Sequence, residues 1–350
     1  MVYGISDPRE FGAVGDGVAD DTQAVRSAID NIPAAGGVLY FPPGTYLVRE
    51  HLAINAEARA VHVRGEGIGV SCIEWAEDAS GLGMSICQCR PQQGRTDFTN
   101  VNNLSFYVRQ TNKGTALKVD CGGQVDPGLR CLVNRVNPRT TVHQCEFRGA
   151  IPERSGSAMM LSGSCGNVEV QVQACWAFYV QHGIFISDKL EGLKVQQCDF
   201  VAVDFGVRIG ASGSCLQLNL VNNHINAAFG CINGSNVNQA AIMANLFYKD
   251  PDSTSNSVGV QLDGASSFNI IANNVFVNPS PESHPALFHA IVLQGNCAHN
   301  LCQGNVFQRA TDAVICMQGA HDNICCGSIC GPAVAKPWTD MDGTNRFYPM

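Results

Sequence analysis

One phrase recurs along this chain and narrows its fold more than any other feature. VHQCEF (142–147), VQACWA (172–177), VQQCDF (195–200), LVNNHI (220–225), IMANLF (242–247), IANNVF (271–276), CQGNVF (302–307) and CCGSIC (325–330) align on a small residue at the fourth position. That position holds Cys145, Cys175, Cys198, Asn223, Asn245, Asn274, Asn305 and Ser328, at intervals of 22 to 31 residues. A second apolar phrase follows in most repeats: SAMML, HGIFI, FGVRI, VGVQL, HAIVL, DAVIC. A period in this range is the mark of a solenoid, whose single turns are too thin to bury a face alone. Short β-type phrases with no helical pattern between them make it an all-β, parallel β-helix.

Equivalent positions on successive coils stack at the strand spacing of ~4.8 Å. An amide carries both donor and acceptor, so Asn223, Asn245, Asn274 and Asn305 are expected to bond one another as a ladder. Cys145, Cys175 and Cys198 fill the same small slot. Phe147, Phe200, Phe247, Phe276 and Phe307, two residues on, form the apolar core column. The coils are expected over 58–331, roughly eleven of them. A cap is expected over 1–57 and a C-terminal tail over 332–350.

The cap is read from FGAVGDGVADDTQAVRSAID (11–30). Asp20 as N-cap with Gln23 three residues later makes a capping box. Ala24, Val25, Ala28, Ile29 and Ile32 then form one apolar stripe at helical spacing. The aspartates do not alternate as a calcium loop requires, so no metal is expected there. GGVLYFPPGTYLV (36–48) follows as strand, turn, strand.

These two stretches closely resemble the N-terminal signature of the pectate-lyase-like superfamily of right-handed parallel β-helices, which includes phage tail-spike depolymerases. The resemblance is specific over residues 8–50 and extends more loosely to about residue 331. It implies the fold, a polysaccharide partner and, from the tail-spike members, a homotrimer with other virion proteins as further partners. It names no reaction, because the superfamily includes lyases, hydrolases, epimerases and proteins without activity. QHGIFIS (181–187) and GVRIG (206–210) look similar to the GHG and RIK elements of polygalacturonases, which assigns His182 and Arg208 to substrate binding. The aspartate elements that carry acid and base in that family have no counterpart here, and the repeat itself accounts for much of the match. An alginate-type C5-epimerase would need a tyrosine-centred motif that we do not find.

Strand alternation points to a site of another kind. The position after the small slot should face outward, and it holds Glu146, Trp176, Asp199 and His224, then Leu246, Val275, Val306 and Ile329. Glu146 and Asp199 are two coils apart, ~10 Å by strand spacing, near the separation used in inverting hydrolysis. They are the candidate acid and base, with Asp204 beside them. Trp176 is the sugar platform, and His224 lines the same face. A solvated face with one covered tryptophan is the plain alternative. The apolar continuation suits a subunit interface.

Composition excludes several partners. Charged residues make up 15% of the chain, acidic residues outnumber basic ones 30 to 22, and no basic run tracks a phosphate backbone, so nucleic acid is not expected. No window approaches a membrane span, the first residues lack the pattern of a signal peptide, and no cofactor fingerprint is present. The 17 cysteines are expected mainly as buried thiols, with Cys87, Cys89 and the pair Cys325–Cys326 keeping disulfides open. The resulting expectation is a virion-associated β-helix that binds host surface polysaccharide. Catalysis is left open, with hydrolysis ahead of lyase chemistry. The alternative is a non-catalytic structural or glycan-binding component.

Overall fold

In the computed structural model the described residues are 4–56, 59–79, 81–87, 98–108, 114–120, 139–151, 154, 156–163, 169–279 and 287–348. The chain is a right-handed parallel β-helix, with one α-helix among the described residues, and it divides into two compact units, Met1–Gln181 and His182–Met350.

In the first unit the coils begin within the region expected to be a cap. Gly4–Ser6 pairs in parallel with Gly36–Tyr40, which pairs with Ala60–Arg64, then Phe98–Val108 and Arg139–Arg148. Helix α1 (Thr22–Asp30) buries Val25, Ala28 and Ile29 against this end, and Ala28 accepts a hydrogen bond from the Ser6 hydroxyl at 2.7 Å. The expected capping box does not form, which corrects the reading of Asp20 and Gln23. Asp21, not Asp20, occupies the N-cap, and its carboxylate turns back to accept from the amides of Val14 (2.7 Å) and Gly15 (3.0 Å). Asp20 accepts from the Thr22 amide at 3.0 Å and the Thr22 hydroxyl. Gln23 is exposed. Asp16 accepts from Val18 and Ala19, both at 2.8 Å. The two carboxylates are taken up instead by the backbone donors of the turn before the helix (Asp21) and by Thr22 at its start (Asp20). Trp75, Phe106 and Phe147 stack in the core, with centroids 6.2 and 5.0 Å apart.

The second unit shows why the repeat phrase has its form. Gln197, Asn222, Ala244 and Asn273 adopt left-handed conformations (φ 54 to 57), each one residue before the slot. Such a residue turns the strand sharply and leaves the next amide without a sheet partner. The side chain of the following coil supplies one: Asn245 Oδ1 accepts from Asn223 N and Nδ2, Asn274 Oδ1 from Asn245, and Asn305 Oδ1 from Asn274, all at 3.0 Å. Cys198 N donates to Asn223 Oδ1 at 2.9 Å, and its thiol points to Gln196 O at 3.3 Å. In the first unit the Cys145 and Cys175 thiols point to backbone carbonyls in the same way. A second ladder, not anticipated, joins Asn269, Asn300, Asn323 and Asn345 at 2.8 to 2.9 Å between amides. Phe247, Phe276 and Phe307 stack 5.1 and 5.2 Å apart.

Of the tail expected over 332–350, the described residues 332–348 continue the coils. Lys336–Asp340 pairs in parallel with Asp312–Cys316, and Arg346–Phe347 with Ile324–Cys326, so the coiling continues through Asn345. The described cysteines are free thiols, among them Cys325, Cys326 and Cys87, and ten of them are buried. Cys89 lies outside the described residues. No helix among the described residues is long and apolar enough to cross a membrane.

Candidate functional site

Glu146 and Trp176 belong to the first unit, and His182, Asp199, Asp204, Arg208 and His224 to the second. In the first unit, Glu146 stands in register with Ser105 on one neighbouring strand and Trp176 on the other. Alternation points it outward, yet its side chain is only 7% exposed. Arg148 donates to its carboxylate at 2.6 Å, Ser105 Oγ at 3.0 Å and the Tyr107 hydroxyl at 3.3 Å. Arg148 in turn lies over the rings of Tyr107 and Phe178. Burial, with Cys72 and Glu146 adding to it, pushes the Tyr107 phenol up to about 12, so it acts as a donor. The expectation of an open, solvent-facing Glu146 is therefore corrected: Arg148, two residues further along its own strand, and Tyr107 on the adjacent strand fold over it. Trp176 is half-buried.

In the second unit, His182–Ile186 pairs with Asp199–Ile209, which pairs with His224–Ser235 and then Ser257–Asp263. Ile184, Val207, Ile232 and Val260 align inward and are fully buried. Phe185, Arg208, Asn233 and Gln261 align on the opposite face, and the Asn233 amide donates to Gln261 at 3.0 Å. The strands approach closely because Gly206 has no side chain: a Cβ there would sit 2.4 Å from Ile225 and 2.5 Å from Cys231 O.

The aromatic rings of this face gather around Arg208. Its guanidinium carbon lies 4.5 Å from the centre of the Phe205 ring, and Nη1 lies 3.4 Å from His182 Nε2. His182 stacks between Phe185 (5.0 Å) and Phe205 (5.7 Å), and Phe205 stacks on Phe229 (5.8 Å), whose ring is 42% exposed. Burial, aided by the neighbouring guanidinium, pushes the His182 imidazole down to about 4. At neutral pH the site thus holds one cation, a neutral imidazole and an aromatic floor. Such a set binds a carboxylate through the guanidinium and the C–H face of a sugar through the rings.

The structure brings His182 and Arg208 together. It does not bring Asp199 to them, because a corner at Ala202 (φ 54) intervenes. Asp199 instead faces His224, with Oδ1 3.7 Å from Nδ1 and both side chains about two-fifths exposed. Asp204 lies beyond that corner, half-buried, directly before Phe205. Phe185, Phe205, Phe229 and Asn233 were not singled out from the sequence. The F-G pairs at 205–206 and 229–230 were the available signal, but a register shift before Phe205 moves Phe229 one place off the simple alignment.

A family model described as rhamnogalacturonase A/epimerase, pectate lyase-like, matches residues 7–278. The chain belongs to that family. Mannuronan C5-epimerase AlgE1 of Azotobacter vinelandii is 38% identical over 124 residues, 31% of this chain but only 8% of that protein. Among solved structures, the A-module of mannuronan C-5 epimerase AlgE4 from the same organism superposes with a TM-score of 0.61 at 14% identity, covering 99% of this chain and 100% of that one. Tailspike protein 3 of bacteriophage CBA120 superposes with a TM-score of 0.53 at 13% identity, covering 98% and 61%. At these identities the structural likenesses establish the parallel β-helix.

Proposed function

We propose that this chain is a tail-spike-like, virion-associated β-helix that binds a carboxylate-bearing surface polysaccharide at the Arg208 face of its second unit. The observation that carries the reading is Arg208 held between the Phe205 ring and the neutral His182, with Phe229 exposed beside them. A stacked guanidinium keeps its bidentate edge for a carboxylate, and the aromatic surface accepts an apolar sugar face. Family membership and the likeness to a protein named as a mannuronan epimerase and to a phage tailspike support a glycan ligand and a virion setting.

Association into a homotrimer is part of the proposal. Leu246, Val275, Val306 and Ile329 align outward on successive coils. A second column, Ile270, Leu301 and Ile324, stacks on the strands before the corner, and Ile329 is 65% exposed. An apolar stripe of this kind suits a face covered by a second copy.

Depolymerisation would use Asp204, the half-buried carboxylate directly before Phe205, with Asp199 across the corner at Ala202 as the second carboxylate. The locked Glu146 favours a binding role over turnover. The test is calorimetric titration with oligogalacturonate, oligomannuronate and their carboxyl-reduced forms, paired with reducing-end and ~235 nm absorbance assays, the latter reading the double bond left by eliminative cleavage. Binding of the carboxylated forms that falls at least tenfold (~1.4 kcal/mol) in Arg208→Gln supports the site. Equal affinity for reduced and carboxylated chains overturns it. New reducing ends without absorbance at ~235 nm, lost in Asp199→Asn or Asp204→Asn, would indicate hydrolysis, and the absence of both signals across the panel leaves a binding protein.

A further inference from the structure

A different corner of the second unit carries a column of exposed side chains. The parallel bridges Asn238–Ser267, Ser267–Ala298 and Ala298–His321 set successive coils in register there. The residue after each of these, Gln239, Phe268, His299 and Asp322, is left-handed (φ 54 to 58) and exposed. The next residue along, Ala240, Asn269, Asn300 or Asn323, is buried, and the three asparagines bond one another as the second ladder. The corner is thus held from inside, and its outward side chains are not needed to hold it. Phe268 is a costly choice for such a place. A bulky residue is rare at positive φ, which glycine or asparagine adopts with less strain. At the first corner the left-handed residues are Gln197, Asn222, Ala244 and Asn273. Phe268 is also 62% exposed, so it forgoes most of the burial that would offset the strain. An outlier of this kind points to a use outside folding.

The neighbours of Phe268 define that use. His299, one coil on, stacks on its ring with centroids 5.2 Å apart and planes at 24°. His321 stands edge-on to His299 at 6.2 Å, and its Nδ1 donates to Asp322 Oδ2 at 2.9 Å. This hydrogen bond, aided by His321, His299 and Arg346, holds the Asp322 carboxyl below its ordinary value, so it is an acceptor at neutral pH. Asp322 and Arg346 offset each other in charge, and recognition falls to the rings and to hydrogen bonding. Phe268 and Asp322 are two coils apart, ~10 Å, with an aromatic step at one end and a hydroxyl acceptor at the other. A pyranose offers the matching pair, an apolar C–H face and a rim of hydroxyl donors.

We propose that the ridge formed by Phe268, His299 and Asp322 is a saccharide subsite that takes pyranose rings by their faces and hydroxyls and needs no carboxylate on the ligand. Its ligand class rests on the polysaccharide-binding reading, while its residues and its selectivity differ from those of the Arg208 face. One polymer held at both places gains avidity beyond either alone.

The test titrates carboxyl-reduced oligogalacturonate, which lacks the group Arg208 would hold, into the full chain and its Phe268→Gly, Asp322→Asn and Arg208→Gln variants. Calorimetry reads affinity, and thermal unfolding and sedimentation are read alongside. Glycine fits φ 58 without strain, so Phe268→Gly should keep the thermal midpoint within a few degrees while affinity falls at least about tenfold. Asp322→Asn tolerates the same backbone and should weaken binding roughly threefold or more, and Arg208→Gln should leave it unchanged. A midpoint that collapses in Phe268→Gly while Asp322→Asn binds as wild type makes the ring structural and overturns the proposal. Failure of the reduced chain to bind wild type, or binding lost in Arg208→Gln and intact in Phe268→Gly, overturns it too. Phe268 lies two residues before Ile270 of the column assigned to a neighbouring copy. A Phe268→Gly chain that sediments more slowly than wild type yet binds the reduced chain equally well therefore overturns the subsite in favour of a subunit contact. The Arg208 site is judged apart, by oligogalacturonate, whose binding should stay sensitive to Arg208→Gln in the Phe268→Gly background.

Discussion

Replacing Asn274 by alanine removes a fully connected rung of the asparagine ladder. Its side chain is fully buried. Its Oδ1 accepts from Asn245 N and Asn245 Nδ2, both at 3.0 Å, while its Nδ2 donates to Ile242 O at 2.9 Å and Asn305 Oδ1 at 3.0 Å. Four bonds at about 1 kcal/mol each set a loss of about 4 kcal/mol. Stranding the buried Asn245 amide, left beside an αL corner with no sheet partner, raises this, and a water entering the vacated polar slot lowers it. The control is Asn345→Ala at the last rung of the second ladder. Its amide also has several partners, but it is only half-buried and solvent replaces part of what is lost, so about 1–2 kcal/mol is expected. Urea unfolding followed by circular dichroism gives both values, with hydrogen exchange at Asn245 N as a local reporter, since a solenoid need not unfold in one step. A loss below ~1.5 kcal/mol for Asn274→Ala, or equal losses at the two rungs, would refute the view that the ladder carries the corner's unpaired amides.

The remaining expectations concern charge and surface. His182 titrates near 4 in the folded chain against 6.5 for a free imidazole, so the unfolded chain takes up the proton first. Its contribution is present above pH 6.5 and is lost as pH falls toward 4, about 3 kcal/mol in all. His182→Gln should flatten that part of the stability–pH curve, and an unchanged slope would refute it. Glu146→Gln keeps most of the geometry but discharges the partner of Arg148, and should cost about 1–2 kcal/mol of stability while oligogalacturonate affinity stays as in wild type. Ile329→Asp, at a 65% exposed position, should leave the thermal midpoint of the chain within a few degrees and convert trimers to monomers in sedimentation experiments. A wild-type chain that sediments as a monomer at micromolar concentration would overturn the interface.

The repeat alone determined the parallel coil, the phenylalanine column and the asparagine rungs at Asn223, Asn245, Asn274 and Asn305, because a solenoid repeats its environment at each turn and so writes it into the period. The second ladder was equally periodic, five residues upstream at Asn269 and Asn300, but its residues fall at the ends of variable loops where the spacing is harder to follow. At α1 the stripe of Val25, Ala28 and Ile29 was legible, whereas the roles of Asp20 and Asp21 depended on which backbone amides the preceding turn left unpaired. Only the tertiary structure decided the site. Alternation tells which side of a strand a residue takes, not what lies above it, so Glu146 was read as open although Arg148 and Tyr107 close over it. Likewise a one-residue register shift and a corner at Ala202 gathered Phe205, Phe229 and His182 around Arg208 and turned Asp199 away to His224. Corners and register shifts change direction in space while barely marking the sequence, and that is where the chemistry of this face was set.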